Sequence, residues 1–331
     1  MTVRWGLLAT ARIGSVAVRA SRRSERARFV AVASRSDERA RRFAAEHDIG
    51  TSHGSYEALL ASDAVDAIYI ALPPALHVEW TMKALEAGKH VLCEKPFSNR
   101  PDDVARAFDV AERTGLVCAE ALAYRLHPRI ALVQRLLADG AIGTLKHVRT
   151  ALTVRIADVD IRRIRALGGG SLLDLGCYCV SAARLLAGEP ERVFAEAVTD
   201  GAEVDMRFAA TMRHGGGVTS QFDVGFELPR RDELELIGTD GRIVAADPWI
   251  CRPPTIELGV DGRTEAVAVD PEARFGLAYD DLDVYRIELD TISDAIEGGA
   301  PLAFGRTDAV DQARTLDALL RSSERVALVV I

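Results

Sequence analysis

The sequence predicts an α/β protein in two parts: an N-terminal doubly wound Rossmann-type sheet, then an α+β domain built on an open, mostly antiparallel sheet. Three observations carry this. From residue 3 to about 120, short β-rich apolar runs alternate with helix-period segments, as in a parallel sheet covered on both faces. After Tyr124 the texture changes to turn-bounded strands with glycine-rich turns, as antiparallel pairing requires. A chain of 331 residues, 48% hydrophobic, is long enough for two cores.

In chain order, strands are expected at Val3 to Ala9, Arg28 to Ser34, weakly near Thr51, then Ala67 to Ala71, His90 to Glu94 and Leu116 to Glu120. Helices are expected at Asp37 to His47, Ala75 to Ala87 and Pro101 to Arg113, with Gly88 and Gly115 as stops for the last two. Beyond Tyr124 come a helix near Arg129 to Asp139, a long strand at Leu145 to Ile156, the loop Gly168-Gly169-Gly170 and a helix at Ser171 to Ala187. Several strands then run from Val193 to Val269, turning at Gly215-Gly216-Gly217 and Asp240-Gly241. Helices near Leu282 to Ile296 and Thr307 to Arg325 close the chain. The expected division is residues 1–123 as a dinucleotide-binding domain and 124–331 as a substrate-binding and oligomerisation domain.

A net charge of -8 and a pI near 5.5 speak against a polyanionic partner. Nine arginines between Arg19 and Arg42 are read as the solvated faces of two helices, so no nucleic-acid partner is expected. Five cysteines are an odd number, and Cys177-x-Cys179 is too closely spaced for a zinc hairpin. They are read as buried thiols in a reducing cytoplasm. The seven histidines are scattered, and no metal site is expected. No run of 18 apolar residues occurs, so no membrane role is expected and the protein is placed in the cytoplasm.

The first strand runs into Ala9-Thr10-Ala11-Arg12-Ile13-Gly14, where a doubly wound domain aims a helix N-terminus at a pyrophosphate. The spacing fits, although alanine stands where two of the usual three glycines would. The second strand ends in Ser34-Arg35-Ser36, where an acidic residue would meet a free ribose 2'-hydroxyl. Arginine between hydroxyls suits a 2'-phosphate instead, so NADP(H) is expected in preference to NAD(H), with Arg39 a secondary contact. The fourth strand empties into Leu72-Pro73-Pro74 and then His77, at the sheet edge where ligands bind in such folds. These residues are expected to wall the cofactor pocket.

Four lysines stand among 41 basic residues, and one of them, Lys95, lies between Glu94 and Pro96 at the end of the fifth strand. Arginine cannot release its proton and lysine can. In a chain that otherwise prefers arginine, the choice suggests proton chemistry.

Taken together, the opening strand-turn, Leu72-Pro73-Pro74-x-x-His77, Glu94-Lys95-Pro96, Glu120-Ala121-x-x-Tyr124-Arg125-x-His127-Pro128 and Gly168-Gly169-Gly170-Ser171-Leu172-Leu173-Asp174-x-Gly176-x-Tyr178 resemble the Gfo/Idh/MocA oxidoreductases over nearly the whole chain. The resemblance implies hydride transfer between a nicotinamide cofactor and a sugar or other cyclic polyol. It implies that Lys95, Asp174 and Tyr178 are the catalytic group and that Glu94, Pro96, Arg162 and Asp174 adjoin the cofactor. Pro96 corresponds to a proline that is often cis in the family. Tyrosine at 178, where many members have histidine, is similar to the glucose-fructose oxidoreductase, dihydrodiol dehydrogenase and sugar 3-ketoreductase branches. Ile161 replaces the tryptophan that usually precedes the arginine at 162, and Leu277 and Ala278 replace two amides before Tyr279.

Hydride addition to a ketone leaves charge on oxygen, which a positioned proton donor must meet. Tyr178 is read as the immediate acid or base and Lys95 as the group that polarises the same oxygen, with the reverse assignment open. Asp174 and Tyr178 are four apart on a helix and share a face. Ser171-x-x-Asp174 also reads as a capping box, with Ser171 as N-cap. Tyr124, Arg125 and His127 either line the sugar pocket with Lys95 and Tyr178 or brace the domain junction. The expected reaction is reduction of a keto-sugar, nucleotide-linked or free, with aldose or trans-dihydrodiol oxidation as the near alternative and a non-catalytic NADP-binding regulator as the distant one. A sheet with one open face suggests a homodimer or homotetramer.

Overall fold

A computed structural model of the chain describes residues 1–201, 204–270 and 283–331, so Leu277, Ala278, Tyr279 and Leu282 lie outside the described residues. The chain divides into two compact units, Met1–Leu122 with Tyr285–Val310, and Ala123–Val284 with Asp311–Ile331. The first boundary falls beside the expected one, but the chain later returns to the first unit, which a single cut at 123/124 does not allow for. The return is driven by burial: Leu289 and Ile292 join the core of Val3, Trp5 and Leu7, and the Trp5 indole donates to Ser293 Oγ at 3.1 Å.

The first unit is a six-stranded parallel sheet in the order β3-β2-β1-β4-β5-β6. Its strands are β1 (Val3–Leu8), β2 (Ala27–Ala33), β3 (Thr51–His53), β4 (Ala67–Ile70), β5 (His90–Glu94) and β6 (Cys118–Ala121). β4 and β6 are buried along their whole length, as strands covered on both faces must be. The helices are α1 (Arg12–Ser21), α2 (Asp37–Glu46), α3 (Tyr56–Leu60), α4 (His77–Glu86) and α5 (Pro101–Thr114). α2 starts where Ser36 Oγ accepts from Arg39 N at 3.3 Å, with Asp37 and Glu38 in its first turn to meet the helix dipole. α5 has proline at its first position and stops at Gly115, whose φ of 70° lies in the left-handed region. The helix expected from Ala75 begins at His77 instead, because Pro74–Leu76 forms a tighter 3-10 turn first.

The second unit opens with α6 (Pro128–Ala138) and carries a nine-stranded sheet, β14-β13-β12-β11-β7-β10-β9-β8-β15. Its strands are β7 (Leu145–Thr153), β8 (Pro190–Thr199), β9 (Asp205–His214), β10 (Thr219–Gly225), β11 (Arg231–Gly238), β12 (Gly241–Ala246), β13 (Thr255–Val260), β14 (Arg263–Ala268) and β15 (Val329–Val330). All pairs are antiparallel except β7 with β10. Residues alternate in and out along β8 and β9; the outward face presents His147, Arg149, Glu196, Thr211 and Gln221 around a part-exposed Phe194. The inward face packs against α7 (Cys177–Ala187). The expected single helix from Ser171 is two pieces, a π-helical turn at Leu172–Gly176 followed by α7. Two further helices, α8 (Val284–Ile296) and α9 (Arg306–Arg325), complete the order.

Residues Arg165–Ala187 are long and apolar enough to cross a membrane by composition, but 72% of that window is buried within the protein, as in a core helix. All five cysteines are buried thiols, and burial pushes Cys179 and Cys251 up to about 12. All nine arginines from Arg19 to Arg42 are exposed.

Candidate active site

Each unit carries its own share of the residues singled out in the sequence. In the first, β1 stops at Leu8 and the chain turns through Ala9, which adopts a φ of 90° despite its Cβ. Ala11 caps α1 in extended geometry with no side-chain hydrogen bond, and no acid stands in the first helical turn. The helix therefore offers its free N–H groups and positive dipole end without a competing carboxylate. Ala9, Thr10, Ala11, Arg12 and Ile13 all reach the surface, while Gly14 is buried where a Cβ would meet Leu7 Cδ2 at 2.7 Å. Glycine at 14 thus lets α1 sit close on β1. These features fit a bound pyrophosphate.

At the end of β2, Ser34 is 4% exposed and its Oγ accepts from Ser36 N at 3.4 Å, so it shapes the turn. Arg35 and Arg39 are both exposed, and both lie near Tyr56, whose phenol is raised by burial and pulled back down by the two guanidiniums. No acid occupies positions 34 to 36. Two cations therefore converge where a ribose phosphate would lie.

Past β4, Leu72 is buried and Pro73 and Pro74 are partly exposed. His77 does not reach the surface: it is fully buried, with Nδ1 2.8 Å from the Pro96 carbonyl oxygen and Nε2 2.7 Å from that of Leu72. Burial lowers its pKa to about 4, overcoming the two carbonyls that favour protonation. A neutral ring has one N–H and donates to one of them. This corrects the expectation that the side chain contacts cofactor; it ties together the loops that follow β4 and β5.

β5 ends at Glu94, 8% exposed, which accepts from the Tyr69 hydroxyl and, through Oε2, from Lys95 N at 3.2 Å. The Lys95–Pro96 peptide is cis, as the resemblance implied. From Val91 to Phe97, Lys95 alone is not buried. The strand end is locked inside and one ammonium side chain emerges from it. Glu94, expected beside the cofactor, has both oxygens engaged with the protein.

In the second unit, Ser171 is not an N-cap. Its φ and ψ are helical, its Oγ donates to Asp205 Oδ2 at 2.8 Å, and the same oxygen accepts from Leu172 N at 2.7 Å. The cap comes from β9, which overturns the capping-box reading. Gly170 is required for it: at φ 127°, a Cβ there would lie 2.1 Å from Asp205 Oδ1. Between Ser171 and Arg184, Asp174 and Tyr178 are the two residues that are not buried. The π turn keeps them on one side, consistent with its frequent use at functional positions.

Asp174 is ion-paired with Arg162 at 3.2 Å, and Arg162 is gripped on its other side by Asp160 at 2.8 Å. Hydrogen bonding from Arg162 lowers the Asp160 carboxyl, and Asp160 raises the guanidinium in return. The guanidinium also lies 5.6 Å from the Phe226 ring centroid. Arg162 is thus oriented by three partners with isoleucine, not tryptophan, before it. Tyr178 sits in an aromatic group with Tyr124 and Trp249, at ring-centroid separations of 6.1 and 5.7 Å. Tyr124 is 1% exposed and donates to Ser181 Oγ at 2.8 Å; His127 is buried and its Nδ1 accepts from Arg129 N at 3.1 Å, starting α6. Arg125 is buried as well. These bonds engage Tyr124 and His127 within the second unit.

Sequence reasoning missed Asp160, Asp205 and Trp249. Asp160 lies two residues from Arg162, and Asp-x-Arg spacing could have flagged it; Asp205 and Trp249 are far along the chain and gave no local signal. Among the described residues no group of three or more His, Cys, Asp or Glu is placed to hold a metal ion.

Residues 3–122 match the oxidoreductase family with an NAD-binding Rossmann fold, GFO_IDH_MocA, and residues 130–244 match the GFO/IDH/MocA C-terminal domain. The chain is 37% identical to D-xylose 1-dehydrogenase (NADP(+)) 2 of Haloferax volcanii, over 98% of each chain. It is 39% identical to dTDP-3,4-didehydro-2,6-dideoxy-alpha-D-glucose 3-reductase of Saccharopolyspora spinosa, over 65% of each. The crystal structure of KijD10, a 3-ketoreductase from Actinomadura kijaniata in complex with NADP and TDP-benzene, superposes with a TM-score of 0.89 at 29% identity, covering 97% of this chain and 98% of that one. With both halves of the chain matched in order, the protein belongs to the Gfo/Idh/MocA family of oxidoreductases.

Proposed function

We propose that this protein is an NADP(H)-dependent sugar oxidoreductase that moves hydride between nicotinamide and a ring carbon bearing a hydroxyl, with oxidation of a free aldose at its anomeric carbon as the preferred reaction. The observation that carries the reading is the isolation of Lys95, Asp174 and Tyr178 as the half-buried polar positions of otherwise buried strand-end and helix segments. The sequence alone favoured reduction of a keto-sugar. The full-length likeness to an aldose dehydrogenase shifts the preference, since the nucleotide-sugar reductase of Saccharopolyspora spinosa is matched over 65% of the chain. Keto-sugar reduction stays as the second reading, supported by the likeness to KijD10.

When bound, the nicotinamide accepts or returns the hydride. Tyr178 takes the hydroxyl proton as hydride leaves the carbon, and gives it back in reduction. Lys95 polarises the reacting oxygen, the role that the family resemblance implies for it. Asp174, held by Arg162, orients the sugar hydroxyls. Arg35 and Arg39 hold the 2'-phosphate that distinguishes NADP, and Ala9 to Ile13 present backbone donors to the pyrophosphate. A homodimer or homotetramer through the outward sheet face is part of the same reading; light scattering tests it, and a monomer at micromolar concentration contradicts it.

The test is nicotinamide absorbance against a panel of aldoses, including D-xylose, with NADP. Turnover by the wild type and its loss in Lys95→Ala are expected. An unchanged rate in Lys95→Ala removes the assignment of that residue, and no turnover of any aldose by the wild type returns the preference to keto-sugars.

A further inference from the structure

We infer that Glu120 is a positioning residue for Lys95: its buried carboxylate fixes the peptide that follows the cis Lys95–Pro96 bond and so sets the direction in which the lysine leaves β5. The inference rests on the proposed role of Lys95 in proton chemistry and adds a residue to it.

Lys95 stands where the sheet's hydrogen bonding stops. β5 and β6 pair as Cys93 with Glu120 and Glu94 with Ala121, and the ladder does not continue to Lys95. The backbone groups beyond must find other partners, and Phe97, 1% exposed, has no water to turn to. Its N–H donates to Glu120 Oε1 at 2.8 Å. The carbonyl of the same peptide unit, that of Pro96, lies 2.8 Å from His77 Nδ1. The N–H side of this peptide plane is thus held by β6 through Glu120, and the His77 ring of α4 lies against its carbonyl side. On the other side of Lys95, the peptide linking it to Glu94 is held too, since Lys95 N donates to Glu94 Oε2 at 3.2 Å and Tyr69 fixes that carboxylate.

The two peptides that flank Lys95–Pro96 therefore both end on buried carboxylates, each 8% exposed. A charged acceptor makes the shorter and stiffer bond, which is what placing an ammonium group to within a fraction of an ångström requires. Phe97 packs on Phe108 with ring centroids 5.6 Å apart, so the turn is fixed from below as well. From Glu94 to Phe97, Lys95 alone is not buried.

The experiment compares Glu120→Met, which keeps the volume and removes the acceptor, with Glu120→Gln, which keeps an oxygen for Phe97 N–H. Both are measured for kcat and KM with the aldose and NADP that the wild type uses, alongside Lys95→Ala. The expected result is a fall in kcat of about 100-fold in Glu120→Met with KM for sugar and cofactor near wild type, and recovery of most of it in Glu120→Gln. Wild-type kcat in Glu120→Met, with Lys95→Ala inactive, overturns the inference and leaves the functional reading standing. Full activity in Lys95→Ala instead brings down the functional reading itself. Should Glu120→Met fail to fold, Glu120→Gln decides: kcat within about tenfold of wild type supports the inference, and a larger loss overturns it.

Discussion

Asp205→Ala is the substitution through which the second unit's architecture can be weighed. Asp205 Oδ2 accepts from Ser171 Oγ and Leu172 N, and both donors belong to residues that are fully buried. Truncation strips both of their partner. A buried donor left unsatisfied costs about 1–3 kcal/mol. The Ser171 hydroxyl can turn to a second acceptor and the Leu172 N–H cannot, so the combined loss is about 2–4 kcal/mol. In a unit of this size each kcal/mol moves the midpoint by roughly 2–4 °C, giving a fall in Tm of roughly 5–15 °C. Burial raises the Asp205 carboxyl above its ordinary value, which means the charge itself is held at a cost. Asp205→Asn keeps an oxygen acceptor and removes the charge, so it should lie within about 1 kcal/mol of the wild type at neutral pH. Differential scanning calorimetry of the three proteins is the assay. A Tm for Asp205→Ala within about 2 °C of wild type would refute the cap.

Three further outcomes follow from the same geometry. Arg35→Ala should weaken NADPH binding by about 10–100-fold, the worth of a charge-assisted hydrogen bond, while leaving NADH nearly unchanged; equal losses by fluorescence titration would show that β2 was misread. Arg129, 1% exposed, donates to the carbonyls of Ala246, Asp247 and Thr255 at 2.6, 3.2 and 3.0 Å. Arg129→Ala should cost roughly 3 kcal/mol or more and release the loop that holds Trp249, read as a loss of Tm together with a red-shifted tryptophan emission. The folded pKa of His77, about 4, lies below its unfolded value of 6.5, so its contribution is fully present above pH 6.5 and is lost as pH falls towards 4, amounting to at most about 3 kcal/mol. His47, His90, His147 and His214 are lowered by burial in the same direction. Tm should decline from pH 6.5 to 4, less steeply in His77→Gln; a flat profile would contradict this.

The first unit was legible nearly strand by strand because its strands, the polar β3 apart, are short apolar runs. β5 came out at its observed limits, and the π turn before α7 did not, since no local pattern separates a wide turn from a normal one. The candidate residues were legible where a side chain is chemically out of place, as Lys95 is in an arginine-rich chain. Their supports were not. His77 looked like a pocket residue because it follows two prolines at the sheet edge, and its burial is decided by carbonyls of Leu72 and Pro96 in two separate loops. Asp205 reaches Ser171 across 34 positions of sequence, a distance over which composition and periodicity are silent. The chain's return through Tyr285–Val310 to the first unit was hidden for the same reason.

The central claim is that hydride leaves the anomeric carbon of a sugar for NADP through a site that needs Tyr178. An aldose carrying deuterium at the anomeric carbon, incubated with the enzyme and NADP, tests it in one step when the reduced cofactor is examined by mass spectrometry. The account requires deuterium in the reduced nicotinamide, a rate slower than with the unlabelled sugar when chemistry is limiting, and no transfer by Tyr178→Phe. Reduced cofactor without deuterium, or undiminished transfer by Tyr178→Phe, would contradict it.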